Sequence, residues 1–200
     1  DFAAEGGAAV VATLDVPSSH GRPDLMERVG DHLYVGTEAG LQVVDVSDPA
    51  RPRMVGSNPD LVFDHLAPVA DVLVGDRWTE GGETRLCVVG LANPSRPRLL
   101  AEVVIDRSLR SPDPRDVVAM EASGDRLIVA LDDGSVRLYD VSSPFRPILL
   151  QEMPASARIE EIALVGCQAV LAGGDGGLLL ATLTAGVLPT MSQRAFLPLA

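Results

Sequence analysis

The chain has 200 residues and a formal net charge of −12 at pH 7, from 28 acidic residues against 16 basic residues that are all arginine. Because phosphate binding needs clustered basic side chains, this acid excess argues against nucleic acid as a partner and disfavours anionic membrane surfaces. The longest uncharged run, 176–193, contains Pro189 and matches a repeat, so no direct membrane insertion is predicted. Arginine without lysine is typical of a GC-rich bacterial genome or, as the alternative, of a salt-adapted archaeon.

One nine-residue pattern recurs along the chain. Val44–Pro52 (VDVSDPARP) returns as Val89–Pro97 (VGLANPSRP) and as Tyr139–Pro147 (YDVSSPFRP), and a worn copy at 181–189 keeps only the aliphatic pattern and the last proline. The last prolines of the copies are 45, 50 and 42 residues apart. Periods of this size with four strand-like runs in each are typical of β-propeller blades. The sequence therefore predicts an all-β fold of four four-stranded antiparallel repeats in a single domain, 1–200.

Each repeat reads as four strands, A to D, and the repeats cover about 24–57, 62–104, 115–153 and 158–197. Strands B and C are nearly continuous aliphatic runs, as expected where neighbouring sheets pack on both faces. Strand D mixes charged with apolar residues, which suits the exposed outer edge of a blade. Residues 8–16 resemble strand D of the second repeat and are predicted to be the last strand of a preceding blade. In chain order, the predicted strands are Leu25–Val29, His32–Gly36, Leu41–Ser47, Arg53–Gly56, Phe63–Val69, Val72–Gly75, Arg85–Leu91, Arg98–Val104, Val117–Glu121, Arg126–Leu131, Val136–Val141, Ile148–Glu152, Ile159–Val165, Ala169–Ala172, Gly177–Leu183 and Thr190–Phe196.

The connections between strands carry turn-forming residues. Between strands B and C, Gly40 and Gly134 can supply the positive φ that a hairpin turn needs. The second repeat instead inserts 76–84, which is predicted to place Trp78, the only tryptophan, in a loop. Between strands C and D, a polar residue before a proline favours a turn, and the second proline of the pattern favours extended geometry at the start of an outer strand.

The recurring residues of the nine-residue pattern are assigned a structural role. Because Arg51, Arg96 and Arg146 occupy one repeat position, each is expected to make the same contact within its repeat or with the adjacent blade. Asp45 and Asp140 are expected to accept hydrogen bonds from backbone N–H groups of the following turn. The prolines of the pattern belong to the same structural set, which comprises Pro49, Pro52, Pro94, Pro97, Pro144 and Pro147.

The run Gly40–Pro49, in which aliphatic residues precede Asp-Val-Ser-Asp-Pro, resembles the LVIVD-repeat family of bacterial and archaeal proteins. The resemblance extends over about 25–191 and is closest in the first and third copies. It implies a β-propeller, usually seven-bladed and often on secreted or cell-surface proteins, with no catalytic motif. An extracytoplasmic location and the remaining blades of a larger chain as partners are therefore implied. Since four copies are fewer than usual, we expect an open arc with exposed apolar flanks on its terminal blades.

Acidic residues gather where the loops of one propeller face are expected. Some lie near the starts of the A strands, which line the central channel of a propeller, and others lie in B–C loops. This face is therefore predicted to be negative, and its carboxylate oxygens are of the kind that Ca²⁺ binds, although no Asp-x-Asp-x-Asp-Gly loop occurs. No other cofactor is predicted. The candidate binding residues on this face are Asp24, Asp64, Asp116, Glu161, Asp132 and Asp133.

Function is left open between different classes of protein. The leading hypothesis is a non-catalytic binding or scaffold module whose loops contact a protein or a glycan, with Trp78 and Phe145 as candidate anchors. The alternative is a hydrolase-like or metal-assisted enzyme with a carboxylate site at the channel mouth, formed by Asp64, Asp116 and Glu161. A purely structural spacer is the third class. A deep pocket with two carboxylates in perturbed environments would favour the enzyme, and an exposed tryptophan would favour binding.

Overall fold

The computed structural model describes residues 9–18, 25–107, 117–154, 158–165, 168–173, 177–183 and 191–198. Within these ranges the chain forms sixteen β-strands, and no described segment is a helix that could cross a membrane. In chain order the strands are β1 Leu25–Val29, β2 His32–Thr37, β3 Gly40–Asp45, β4 Arg53–Asn58, β5 His65–Val69, β6 Val72–Thr79, β7 Glu83–Gly90, β8 Arg98–Arg107, β9 Val117–Ser123, β10 Arg126–Leu131, β11 Ser135–Asp140, β12 Ile148–Pro154, β13 Ile159–Val165, β14 Gln168–Gly173, β15 Gly177–Leu183 and β16 Met191–Pro198.

These strands form four separate four-stranded sheets. Each sheet is an antiparallel meander in which strands consecutive in the chain are neighbours, and we call β1–β4, β5–β8, β9–β12 and β13–β16 blades 1 to 4. The first strand of each blade is its strand A and the last is its strand D. The predicted all-β fold of four four-stranded antiparallel repeats is confirmed.

Blade 2 departs from the predicted strand boundaries at its B–C connection. The insert 76–84 was expected to form a loop, whereas β6 continues through Trp78 to Thr79 and β7 begins at Glu83. Trp78 pairs with Thr84 through the backbone, so the β6–β7 ladder extends into the insert. The alternation of side chains in the insert fits the two-residue period of a strand as well as it fits a loop. The prediction of a loop at Trp78 is therefore wrong, and the tryptophan lies on a strand.

Three hydrophobic cores lie between successive blades. In blade 2, Leu73 belongs to the core shared with blade 1, and its neighbour Val74 to the core shared with blade 3. In blade 3, Leu127 and Ile128 divide in the same way between blades 2 and 4. All four side chains are 0% exposed. Consecutive side chains point to opposite faces of a strand, so a strand in a middle blade needs apolar residues facing both neighbouring blades. Each fully buried side chain contributes about 1.5–3 kcal/mol to the free energy of unfolding.

The outer strand of every blade carries a β-bulge at the same register. In blade 1 the pairing of β3 with β4 shifts between Val43 and Val44. The equivalent shift occurs between Val88 and Val89 in blade 2, and again in blades 3 and 4. A bulge leaves one residue unpaired and increases the local twist, so strand D bends relative to strand C in each blade.

The bent strand D of blade 1 contacts the C–D turn of blade 2. An added Cβ on Gly56 would lie 2.3 Å from the carbonyl oxygen of Pro94 and 2.7 Å from the Cα of Ser95, so only glycine fits this approach. Nearby, Asn58 Nδ2 donates a hydrogen bond to the carbonyl oxygen of Pro97 at 2.9 Å. The second copy of the nine-residue pattern therefore forms a blade-to-blade contact.

Several turns place residues in the left-handed region of backbone space. Gly40 and Gly134, at B–C turns, have φ of 102° and 81°. At the A–B turns, Gly30 and Gly124 have φ of 58° and 61°, but blade 2 has Ala70 at the same repeat position with φ of 47°. A Cβ in this conformation costs roughly 1–2 kcal/mol, so blade 2 holds a strained turn that the glycines of blades 1 and 3 avoid.

Packing between blades follows the order of the chain. The inner strand β1 packs against β5, β5 against β9, and β9 against β13. In the part of the chain that the structure describes, no packing of comparable extent joins blade 1 to blade 4. Both edges of β15 are occupied by β14 and β16, so residues 9–16 do not close a ring by pairing with β15.

The expectation of exposed apolar flanks is wrong for blade 1. Val35 and Val44, on the side of the sheet away from blade 2, are each 3% exposed. The hydroxyl of Thr37, on the same side, lies 3.3 Å from the carbonyl oxygen of Pro17, so the preceding segment reaches this flank. Residues 9–16 form no strand with another described segment. Their assignment to a preceding blade stays a prediction.

Candidate functional site

The β6–β7 hairpin of blade 2 is longer than its counterparts. Both of its strands have eight residues, whereas strands B and C of blades 1 and 3 have six. The additional ladder pairs Arg77 with Arg85 and Trp78 with Thr84. Blade 2 therefore presents a stretch of paired backbone that blades 1 and 3 do not have.

Four charged side chains brace this hairpin against strand D of the same blade. Glu102 on β8 forms ion pairs with Arg77 and with Arg85 Nη1, the latter at 2.9 Å, and Glu83 accepts from Arg85 Nη2 at 2.6 Å. Burial alone would raise the pKa of Glu102, but the Arg77 charge and the hydrogen bonds from Arg85 and Arg77 hold that pKa below its ordinary value. Partly exposed ion pairs are each worth about 0.2–1 kcal/mol, so the network stiffens the hairpin more than it stabilises the fold.

Trp78 is the large apolar side chain that the hairpin presents to solvent. It is 50% exposed, while Thr84 across the ladder is 1% exposed. A rigidly held tryptophan loses little conformational entropy on binding, and its ring combines a large apolar face with one N–H donor. The other predicted anchor, Phe145, is 68% exposed in the C–D turn of blade 3.

A buried carboxylate lies at the base of the same hairpin. Asp76 Oδ1 is 3.0 Å from His65 Nδ1, and the carbonyl oxygen of Asp76 accepts a hydrogen bond from the N–H of Asp64 at 3.0 Å. Burial raises the pKa of Asp76, against the hydrogen bond and charge of His65, which lower it. The Asp76 side chain is 3% exposed and that of His65 is 32% exposed, so only the imidazole reaches solvent. The pair ties strand A to strand B at the end of the blade.

The acidic candidates are not gathered into one site. Within the described residues, no three His, Cys, Asp or Glu side chains form a group that could hold a metal ion, so no Ca²⁺ site is found among them. The Asp133 carboxylate accepts a hydrogen bond from the N–H of Ser135 at 2.8 Å, which is a local turn contact. Two of the six candidates, Asp24 and Asp116, lie outside the described residues, and the other four are exposed, namely Asp64, Asp132, Asp133 and Glu161.

The repeated aspartates cap the turns that follow them. Asp45 Oδ1 accepts from the N–H of Ser47, and Asp140 Oδ1 from the N–H of Ser142, both at 2.9 Å. Hydrogen bonds from Ser47, followed by the contact with Arg53, hold the pKa of Asp45 well below its usual range. Burial would raise the pKa of Asp140, but the hydrogen bonds from Ser142, together with the charge and hydrogen bond of Arg126, hold that pKa below its ordinary value. Each aspartate therefore stabilises its own turn, as its place in the repeat indicated.

The repeated arginines share a backbone contact but not a side-chain contact. The N–H groups of Arg51, Arg96 and Arg146 each donate to the carbonyl oxygen three residues earlier, at 2.9–3.0 Å. Arg51 Nε also pairs with Asp48 Oδ2 at 2.8 Å, but the other two repeats have Asn and Ser at that position. Among the described residues, Arg96 and Arg146 form no ion pair. The expected common guanidinium contact is thus not made.

Sequence reasoning missed the two polar arrangements of blade 2. The pairing of His65 with Asp76 and that of Arg77 with Glu102 both depend on the insert being strand. Once the insert is read with a two-residue period, Arg77 and Arg85 fall on one side of the sheet and Asp76 on the other. The signal was therefore present in the alternation, but the glycines of the insert favoured a loop.

The fold resembles that of solved propellers. BamB from Moraxella catarrhalis aligns over 78% of this chain and 41% of its own, with 15% identity and a TM-score of 0.54. Hsv2 from Kluyveromyces lactis aligns over 87% of this chain and 61% of its own, with 13% identity and a TM-score of 0.59. The computationally designed Ika4 protein aligns over 90% of this chain and 100% of its own, with 12% identity and a TM-score of 0.60.

The likeness is one of architecture. BamB and Hsv2 are β-propeller proteins, and at these identities the similarity shows the fold alone. The chain spans about two fifths of the BamB chain and three fifths of the Hsv2 chain. No curated protein matches the sequence significantly. The LVIVD repeat family model matches residues 28–59, which comprise most of blade 1, so blade 1 is similar to an LVIVD repeat.

Proposed function

We propose that the chain is a non-catalytic propeller module that binds a protein partner, with Trp78 as the central contact residue. The half-exposed tryptophan carries this proposal, because paired strands and the ion pairs of Glu102 hold it in place before any partner arrives. Tryptophan is enriched among the residues that dominate binding energy at interfaces. A protein surface offers the apolar area that such a side chain can bury.

The chain is further proposed to be part of a larger propeller, with additional blades as partners. Pro97 and Pro147, in the C–D turns of blades 2 and 3, are buried, whereas Pro52 of blade 1 is partly exposed. Val46 of blade 1 is also partly exposed, while its equivalent Val141 is buried. The C–D turn of blade 2 packs against strand D of blade 1. The C–D turn of blade 1 has no such outer strand beside it among the described residues, which accounts for its greater exposure. The LVIVD resemblance supports the same idea, together with an extracytoplasmic location on a bacterial secreted or cell-surface protein.

Blade 4 supports the proposal of further blades from the other end. Val170, on the side of β14 away from blade 3, is partly exposed. Ile128 has the same place in blade 3 and is 0% exposed beneath blade 4. Leu178 and Leu180 of β15 are also partly exposed. An additional blade would bury these side chains as blade 4 buries Ile128.

The enzyme alternative is favoured by one observation, the raised pKa of Asp76 beside His65. A carboxylate that exchanges protons with a substrate has to reach it, and the Asp76 side chain is only 3% exposed. Asp64 and Glu161 are exposed, but neither belongs to a described group of three metal-binding side chains. A structural tie between β5 and β6 accounts for the pair with fewer assumptions.

Site-specific photo-cross-linking in cells of the source organism tests the proposed function. Benzoylphenylalanine at position 78 replaces one aromatic side chain by another and is expected to give a discrete protein adduct. The same group in place of Glu160, an exposed residue of β13, is the matched control and should give no such adduct. No adduct at position 78, or the same adduct at both positions, would contradict the proposal. An adduct whose entire added mass is removed by glycosidases would assign the surface to a glycan.

A further inference from the structure

The arginines of the repeat have acidic partners in blade 1. Asp45 Oδ2 pairs with Arg53 Nη2 at 2.7 Å, across the start of the C–D turn. Asp48 Oδ2 pairs with Arg51 Nε at 2.8 Å within that turn. Both guanidinium groups are thus neutralised locally, although the Arg51 and Arg53 side chains are 86% and 73% exposed.

Blade 2 keeps these two arginines but has lost both partners. Arg96 and Arg98 occupy the repeat positions of the blade 1 arginines, while Gly90 and Asn93 stand where blade 1 has its aspartates. Both arginines are exposed, and neither forms an ion pair with any described residue. In a chain with 28 acidic residues and 16 arginines, two neighbouring unpaired guanidinium groups are an unusual local excess of positive charge.

These two arginines line a groove at the junction of three blades. The groove has a volume of about 770 Å³, and its walls also include Asn58 of blade 1, Leu100 of blade 2 and Phe145 of blade 3. Phe145 is 68% exposed, at a repeat position where blades 1 and 2 have Ala and Ser. The groove therefore combines two cationic groups with an amide and an exposed aromatic ring.

We propose that this groove binds an acidic peptide segment of a partner protein, whose carboxylates contact Arg96 and Arg98 and whose apolar side chain packs on Phe145. A guanidinium can hold a carboxylate with two parallel hydrogen bonds. No acidic side chain is among the described residues that line the groove, and charges farther than about 8 Å are largely screened at physiological ionic strength. A small anion such as phosphate would satisfy the arginines but would leave the aromatic ring without a contact. The groove is separate from the Trp78 hairpin and extends the proposed function to a second site.

Selection from random dodecapeptides displayed on phage tests this proposal. On the immobilised wild-type protein, we expect enrichment of peptides with at least two acidic residues and an apolar one. Fluorescence anisotropy of enriched peptides is expected to show at least tenfold weaker binding to R96A/R98A and at least fivefold weaker binding to F145A. The matched control is Arg51→Ala, since Arg51 is the blade 1 equivalent of Arg96 and is also exposed. This variant and Trp78→Ala should bind the peptides like the wild type.

Each other result overturns the proposal. Failure to enrich acidic peptides, or equal binding by R96A/R98A, would remove the groove as their site. Equal weakening by Arg51→Ala would show a general charge effect, and displacement by inorganic phosphate at low millimolar concentration would assign the groove to small anions. Loss of binding in Trp78→Ala alone would move the peptide to the hairpin. Circular dichroism and thermal midpoints check that every variant is folded, and a negative photo-cross-linking result at position 78 leaves this test unaffected.

Discussion

The contact between blades 1 and 2 depends on one missing methyl group, which makes Gly56→Ala a sharp test of the fold. The added Cβ would meet the Pro94 carbonyl oxygen at 2.3 Å and the Ser95 Cα at 2.7 Å, where ordinary contacts begin at 3.4 Å. Both neighbours are backbone atoms, so no side-chain rotation relieves the clash. The C–D turn of blade 2 has to move by about 1 Å, which also breaks the 2.9 Å hydrogen bond from Asn58 to Pro97.

The expected loss can be estimated from these two effects. Overpacking a well-filled interface costs about 1–3 kcal/mol, and the lost hydrogen bond adds about 1 kcal/mol. The free energy of unfolding should therefore fall by about 2–4 kcal/mol in Gly56→Ala, which is a large part of the stability of a typical domain. Ser57→Ala, which changes an exposed neighbour on the same strand, should change it by less than about 0.5 kcal/mol.

Urea unfolding followed by far-UV circular dichroism measures these differences. A double-mutant cycle with Asn58→Ala separates the two contributions, because the hydrogen bond is already broken once Gly56→Ala has displaced the turn. The two substitutions are therefore expected to be less than additive. An unfolding free energy of Gly56→Ala within about 0.5 kcal/mol of the wild type would refute the proposed contact, as would strict additivity in the cycle.

Three further predictions concern blade 2. Ala70→Gly should raise the free energy of unfolding by about 1 kcal/mol, because glycine adopts the φ of 47° at this position without strain. A lower unfolding free energy in urea for this variant than for the wild type would contradict the strained turn. Burial raises the pKa of Asp76 in the folded state above its unfolded value, so the wild type should lose stability as pH rises from the unfolded to the folded pKa. Asp76→Asn has no proton to lose at this position, so the stability of the wild type relative to this variant should fall as pH rises through that range. A stability difference that does not change with pH would contradict the raised pKa of Asp76. Burial also raises the pKa of the Cys87 thiol to about 12. The chain has one other cysteine, Cys167, so in a Cys167→Ser background Ellman's reagent should react only after unfolding. Rapid reaction of the native protein at pH 8 would show an accessible thiol.

The two candidate contact residues, Trp78 and Phe145, show what local sequence patterns can and cannot predict. Trp78 and Phe145 were selected from the sequence because each was expected to lie in a loop or turn, and both are exposed. The strand around Trp78 was missed, because glycines and acidic residues of the insert suggest a loop as strongly as their alternation suggests a ladder. The groove beside Phe145 could not be foreseen at all, since its walls come from three blades that only the packing brings together.

The sequence by itself determined the repeat, the strand order within each blade and the turn caps, because these depend on residues close together in the chain. Asp45 binds the backbone two residues on, and consecutive aliphatic residues of strand B require a neighbour on each side of the sheet. Which carboxylate is buried and which apolar flank is covered were decided only by the tertiary structure. The pairing of Arg51 with Asp48 is local, and Asn93 stands at the equivalent place before Arg96. The burial of Asp76 beside His65 and the groove beside Arg96 and Phe145 instead depend on neighbouring strands and blades. Such contacts join residues that are distant in the chain, and no local pattern records their distance or their burial.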